Sequence, residues 1–373
     1  PEAAVVPGID VIPVGTLAEM VGFLNGELNL FSHELLDEPL DHAAAANGKD
    51  FSEVRGQELG KRALTIAAAG RHNVLLLGPP GAGKTMLCER LPSILPPLSR
   101  QEALETSRVY SACGLMPKGI SLIRSRPVRS PHHTASAPSV IGGGKIPRPG
   151  EVSLAHHGIL FLDELPEFPR GVLEVLRQPL ESGMVTISRA HSSITFPARF
   201  MLVAAMNPSH SGKGTVDPRK ASATELASME RYMSRISGPL LDRIDIHLEV
   251  PAVTYRDLTS KHKGTSSATM REQVQKAIAI QQDRFHHNAS GTGEGATMMN
   301  ANMSKPDLEK YCHLDEACHV LMKQAMEELG LSARAFDKVR KVARTIADLE
   351  GSENIQANHV SEAVQYRLLD RKW

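Results

Sequence analysis

Eight residues limit the folding choices of this chain more than any others. Gly78-Pro-Pro-Gly-Ala-Gly-Lys-Thr85 follows the continuous apolar run Asn73–Leu77 and leads into a helical segment ending near Leu95. A loop of the form G-x-x-x-x-G-K-[ST] between a buried strand and a helix turns successive backbone N–H groups inward around phosphate oxygens, and the helix N-terminus adds its dipole. Gly78, Pro79, Pro80, Gly81, Ala82, Gly83, Lys84 and Thr85 are therefore the candidate nucleotide-binding residues. Lys84 is expected to reach the β- and γ-phosphates and Thr85 to ligate Mg²⁺, so ATP and Mg²⁺ are the expected cofactors. Another glycine run, Gly142-Gly-Gly-Lys145, has no hydroxyl residue and no apolar strand before it, and reads as a flexible hairpin tip.

The strand pattern supplies partners for that loop. Ile159-Leu-Phe-Leu-Asp163-Glu164 is an apolar strand that delivers two carboxylates at its end. Asp163 suits the Mg²⁺ shell and Glu164 suits orientation and deprotonation of an attacking water. Phe200–Ala205 reads as a further central strand and ends at Asn207, an amide placed to meet a γ-phosphate or a water. Arg243 stands just before the strand Ile244–Val250, where a guanidinium could neutralise transition-state charge, in trans if copies assemble. Val185–Ser188 and Ser193–Phe196 read as a hairpin. Continuous apolar strands separated by helices predict a parallel sheet covered on both faces.

After Pro251 the pattern turns helical, over Met270–Phe285, Asp315–Leu329, Ser332–Leu349 and His359–Leu369, with a low-complexity stretch at 286–306. Phe336, Val339, Val342, Ala343, Ile346 and Leu349 keep a 3.6-residue period after the N-cap Ser332, and Arg334 lies in the first turn. The expected organisation is an α/β nucleotide-binding domain over 51–251 and a helical lid domain over 252–373. Before them come a short strand at Asp10–Val14, a helix at Leu17–Leu24 and a linker over 31–50.

Lys84, Asp163-Glu164, Asn207, Arg243 and a lid arginine together resemble an AAA+ ATPase. Ser130-Pro-His-His-Thr-Ala-Ser, Arg148-Pro-Gly-Glu-Val-Ser-Leu-Ala-His-His-Gly158, Leu331-Ser-Ala-Arg-Ala-Phe336 and Val342-Ala-Arg-Thr-Ile-Ala-Asp-Leu349 narrow the resemblance to magnesium-chelatase-like AAA+ ATPases of the ComM/YifB type. The resemblance covers about 50–373. It implies a P-loop core with a parallel sheet, β-hairpin insertions and a helical lid. It also implies Asn207 as sensor 1, Arg243 as arginine finger, Arg334 as sensor 2, a hexameric ring, and an ATP-driven DNA branch-migration activity in natural transformation. Residues 1–30 resemble the end of that family's N-terminal Lon-protease-like domain. Many members carry a cysteine cluster after the sensor asparagine; this chain reads Pro208-Ser-His-Ser-Gly-Lys-Gly-Thr-Val216 there, so no zinc insert is expected.

Charge adds a separate indication. Lysine plus arginine and aspartate plus glutamate both total 42, which excludes a uniformly basic nucleic-acid coat. Yet no acid falls between Glu105 and Glu151, or between Glu181 and Asp217. Both windows lie in expected hairpin insertions, which makes Lys145, Arg148 and Arg189 candidate DNA contacts, with packing at subunit interfaces the competing reading. A protein-remodelling ATPase acting on a partner protein is the second functional class. Four cysteines without a CxxC pair suit reduced thiols in a cytoplasmic protein. Cys312-His313, Cys318-His319, His132-His133 and His156-His157 lack recognisable metal-ligand spacing, so core or surface packing is expected of the Cys-His pairs and packing or pore-loop hydrogen bonding of the His-His pairs. No apolar run is long enough to span a membrane.

Overall fold

A computed structural model gives the fold of residues 8–32, 48–144, 147–189, 192–208, 231–259, 264–286, 298–367 and 370. The strands follow in chain order as β1 Val74–Leu77, β2 Val128–Arg129, β3 Gly142–Gly143, β4 Arg148–Pro149, β5 Ile159–Leu162, β6 Met184–Arg189, β7 Ser192–Pro197, β8 Met201–Met206 and β9 Ile246–Glu249. Five of them form one parallel sheet in the order β2-β5-β8-β1-β9. In β1, β5 and β8 nearly every residue is buried, because helices cover both faces.

Alternate residues serve the two faces. Val74, Leu76, Phe161, Val203 and Ile246 pack with helices Glu58–Gly70, Ser267–His286 and Ala333–Leu349. Leu75, Leu160, Leu162, Leu202 and Ala204 pack with Val152, Leu173 and the inner residues Val185 and Ile187 of β6. The helices after Pro251 thus share one continuous apolar core with the sheet. In helix Ala333–Leu349 the periodic positions Val339, Val342, Ala343 and Ile346 are buried, and the Ser332 side chain accepts the Ala335 N–H. A Lys338–Asp245 ion pair and a 2.7 Å bond between His72 Nε2 and Thr345 Oγ1 fasten this helix to the start of β1 and β9. That fastening decides where Arg334 goes.

Two hairpins project from the sheet connections. β6 pairs with β7 in antiparallel register from Met184↔Pro197 to Arg189↔Ser192, which includes the expected Val185–Ser188 and Ser193–Phe196 pairing. Its exposed side carries a hydroxyl ladder, Thr186 to Thr195 at 3.0 Å and Ser188 to Ser193 at 3.2 Å. β3 and β4 pair over Gly142↔Pro149 and Gly143↔Arg148.

Three expectations change. Asp10–Val14 forms no strand, since no ladder among the described residues takes it up. β2 is an additional edge strand. The last helix stops at Gln365, and Arg367 then bridges to His247 on β9. Lys145, the side chain of Arg189, residues 209–230 and 287–297 fall outside the described residues. Among the described residues no helix is long and apolar enough to cross a membrane.

Candidate active site

The loop after β1 is built from three glycines with separate reasons. A Cβ on Gly78 would lie 2.2 Å from the Val250 carbonyl oxygen, so the loop leaves the sheet pressed against the end of β9. Gly81 and Gly83 have φ of +76° and +92°, the left-handed region that glycine enters without strain. Helix Lys84–Arg90 then begins at Gly83 with no side-chain cap, which leaves its first-turn N–H groups for an anion. From the side, Gln57 Nε2 donates to Ala82 O at 3.2 Å and to Pro251 O at 2.7 Å and braces the loop.

Lys84 is the centre of the cluster. Its Nζ donates to Gly78 O at 2.7 Å, Pro79 O at 2.9 Å and Asn207 Oδ1 at 3.0 Å. Burial lowers the ammonium pKa, and the Asp163 carboxylate works against that. Thr85 Oγ1 donates to Asp163 Oδ2 at 3.0 Å, which brings together the two oxygens expected around Mg²⁺. Asp163 Oδ1 accepts the Glu164 N–H at 2.9 Å. Glu164 has φ of 53°, an uncommon conformation for a non-glycine residue, and its carboxylate is half exposed. The fold therefore brings Lys84, Thr85, Asp163, Glu164 and Asn207 to one end of the sheet. An uncapped helix, two left-handed glycines, an ammonium and a hydroxyl–carboxylate pair fit a magnesium-bound triphosphate.

Arg243 and Arg334 are elsewhere. Arg243 O accepts from Asn73 Nδ2 at 3.1 Å, at the start of β1, whereas the phosphate loop follows the end of β1. Four residues of strand separate the two by ~13 Å. The Arg243 guanidinium donates to Pro239 O at 2.7 Å and pairs with Glu181, while its buried Nε has no partner. Arg334 is exposed and its charge acts on the same Glu181 carboxylate. Both arginines line a cavity of about 630 Å³ with Arg199 and Lys338. Neither reaches the phosphate loop of its own chain.

Part of the basic character is consumed inside the fold. The Arg126 side chain is 6% exposed, pairs with Glu102 and donates to Pro96, Pro97 and His157 carbonyls. Arg129 pairs with Glu151. Arg108, Lys118 and Arg148 remain exposed. Glu105, His156 and His157 offer ligand atoms within 4.8 Å of one another. His156 Nδ1, however, accepts the Arg199 N–H at 3.0 Å, which puts the ring proton on Nε2, facing Glu105. His157 Nε2 meets the same carboxylate oxygen at 2.8 Å. Burial first, and its neighbour second, push the His156 pKa down to about 3. The two imidazoles hold the Glu105 carboxylate, whose pKa their hydrogen bonds help to lower, and so clamp the helix Arg100–Ala112 to the turn before β5. Cys312 and Cys318 are buried against Met303 and Ile355.

Sequence reasoning missed two members of the site. His133, whose Nδ1 lies 3.4 Å from Glu164 Oε2, stands in the quoted Ser130–Ser136 segment, but nothing local ties it to Glu164. Gln57 stands just before helix Glu58–Gly70 and makes no side-chain cap, and no local pattern marks it as a brace of the phosphate loop.

A phosphate loop, a strand-borne Asp-Glu pair and a polar residue on the strand between them, at the carboxyl end of a parallel sheet, define a P-loop ATPase core. Residues 50–258 match the family model of magnesium chelatase, subunit ChlI, and residues 264–367 match the model of its C-terminal region. The chain is 44% identical to the competence protein ComM of Haemophilus influenzae over 374 residues, covering 99% of this chain and 70% of that protein. It is 44% identical to the uncharacterized protein YifB of Salmonella typhimurium, covering 95% and 67%. The magnesium-chelatase 38 kDa subunit of Rhodobacter capsulatus is 30% identical over 42% of this chain and 50% of its own length. The chain belongs to the magnesium-chelatase family of AAA+ ATPases and is of the ComM/YifB type.

Proposed function

We propose that the chain is an ATP-hydrolysing motor that works as a ring of copies and acts on DNA. The observation that carries the ring is the separation just described. The hydrolytic carboxylate and the two arginines suited to transition-state charge sit at opposite ends of one sheet, so a complete centre needs two chains. Within that centre Lys84 and the loop N–H groups bind the β- and γ-phosphates, Thr85 and Asp163 hold Mg²⁺, Glu164 orients and deprotonates the water, and Asn207 fixes Lys84 and the γ-phosphate side. Bound Mg²⁺ would neutralise phosphate charge. Arg243, with Arg334 beside it, would do the same from the neighbouring copy.

DNA is supported by the family resemblance, by the exposed Arg148, by the hydroxyl ladder of β6 and β7, and by the position of Arg189 next to the turn of that hairpin. ATP turnover measured without DNA and with single-stranded, duplex and branched DNA, at two salt concentrations, tests it. Stimulation that weakens at higher salt, and that Arg189→Ala loses while basal turnover persists, is expected. A motor that responds to no DNA but is stimulated by a protein client would favour remodelling of a partner, the reading closer to the chelatase subunit.

A further inference from the structure

We propose that Asn73 is a positioning residue for Arg243, an inference that rests on the reading of a reaction centre shared between copies. Asn73 is the residue just before β1, and all four of its polar groups are engaged. Its carbonyl accepts the Asp245 and Ile246 N–H groups at 3.0 Å, and its own N–H donates to Asp245 Oδ2 at 2.8 Å. In the side chain, Oδ1 accepts the Leu202 N–H of β8 at 2.8 Å and Nδ2 donates to Arg243 O at 3.1 Å. A backbone N–H on one side and a carbonyl on the other fix which way the amide faces, and an amide carries both the acceptor and the donor that this requires.

The bond to Arg243 bears on where its guanidinium stands. Arg243 follows the short helix Gly238–Leu241 in a turn where its N–H donates to Leu240 O at 3.0 Å. Among the described residues, the Asn73 amide is the donor that its carbonyl receives. The guanidinium itself has loose holds, the Pro239 carbonyl of the same turn and the exposed Glu181. Its aim toward a neighbouring copy therefore depends on its backbone, which Asn73 pins to the starts of β1 and β8. The second arginine is tied to the same point. Asp245, which accepts the Asn73 N–H with one oxygen, pairs with Lys338 through the other, and Lys338 lies one turn after Arg334 on the same helix face. Asn73, Arg243, Arg334 and Lys338 line one cavity. The phosphate loop of the same chain lies beyond the opposite end of β1. A small misplacement of a group that acts only in the transition state costs rate rather than affinity.

The test is steady-state ATP turnover by the whole chain for Asn73→Ala and Asn73→Asp, alone and in equal mixtures with Glu164→Gln or Arg243→Ala chains. ATP affinity is measured separately by equilibrium binding. Each Asn73 variant is expected to lower turnover at least about tenfold and to change affinity less than about twofold. Asn73→Asp keeps the acceptor for Leu202 but sets an oxygen against Arg243 O, so it decides if the alanine variant does not fold. The mixtures separate positioning from a merely structural role. An Asn73 variant keeps its own Glu164, so Glu164→Gln chains, which supply an intact Arg243, should restore about a quarter of wild-type turnover. Arg243→Ala chains should restore nothing. Rescue by Arg243→Ala chains, or by neither, would overturn the proposal, because the damage would then lie in the variant's own nucleotide site or in its whole fold. Wild-type turnover by Asn73→Asp would overturn it too. If Arg243→Ala and Glu164→Gln chains co-assemble without recovery, the shared centre falls and the proposal with it. Recovery there without rescue of the Asn73 variants would remove the proposal alone.

Discussion

Acid should weaken this fold before most of its carboxylates titrate, and His72 shows by how much. The ring is fully buried at the start of β1, with Nε2 bonded to Thr345 Oγ1 at 2.7 Å. Thr345 already donates its hydroxyl to Lys341 O, so His72 Nε2 is the donor, and Nδ1 has no hydrogen-bond partner. Burial is the main cause that pushes the pKa from the ordinary 6.5 down to about 4; the Asp245 carboxylate pulls upward, and Lys338 and Lys341 push down. Between those two values the unfolded chain binds a proton that the folded chain refuses. The contribution is therefore whole above about pH 6.5 and is lost as the pH falls toward 4. At ~1.4 kcal/mol per unit the complete loss is about 3 kcal/mol, of which about 1.3 kcal/mol falls between pH 7.5 and 5.5. His156, His157 and His247 are also buried and lowered, and add with the same sign. Urea unfolding of the wild-type chain and His72→Gln at both pH values measures the term. The wild type should lose about 1 kcal/mol more than the variant on acidification. Equal losses would refute the reasoning.

Three further outcomes follow from other parts of the structure. Gly78→Ala sets a Cβ against the Val250 carbonyl, so thermal unfolding should show a loss of about 1–3 kcal/mol and ATP binding should weaken, whereas a neutral substitution would mean the loop leaves the sheet by another path. Arg126→Ala leaves the buried Glu102 with Arg71 as its one arginine partner, beside the Ser99 N–H, and should cost about 3–5 kcal/mol in chemical denaturation; a cost near zero would show that water reaches Glu102. Lys84→Ala removes the ammonium that Gly78, Pro79 and Asn207 hold in place, and calorimetry should show ATP affinity reduced at least about tenfold with the fold intact, while unchanged affinity would displace the phosphate site.

How much the sequence disclosed depended on range. The phosphate loop was readable because its chemistry is contiguous, from a buried strand through fixed glycines to a helix. β5 and β8 were readable because a strand covered on both faces must be apolar throughout. β2 was not, since Val128–Arg129 is too short to show a period and its pairing with β5 comes from distant residues. Asp10–Val14 had the right composition but pairs with no strand among the described residues. The contact of His133 with Glu164, and the meeting of Arg243 with Arg334 around Glu181, arise from sheet register and helix packing, which no local pattern encodes. Charge counting misled in part, because Arg126 and Arg129 are spent on Glu102 and Glu151 rather than offered to a ligand.

The central claim, a reaction centre shared between two copies, has a direct measurement. Chains carrying Arg243→Ala and chains carrying Glu164→Gln are each expected to hydrolyse ATP poorly. Mixed in equal amounts and allowed to assemble, they should recover about a quarter of wild-type turnover, since a random ring pairs an intact Glu164 with a neighbour's intact Arg243 at that frequency. Co-assembly with no recovery, or full activity from Arg243→Ala alone, would contradict the account.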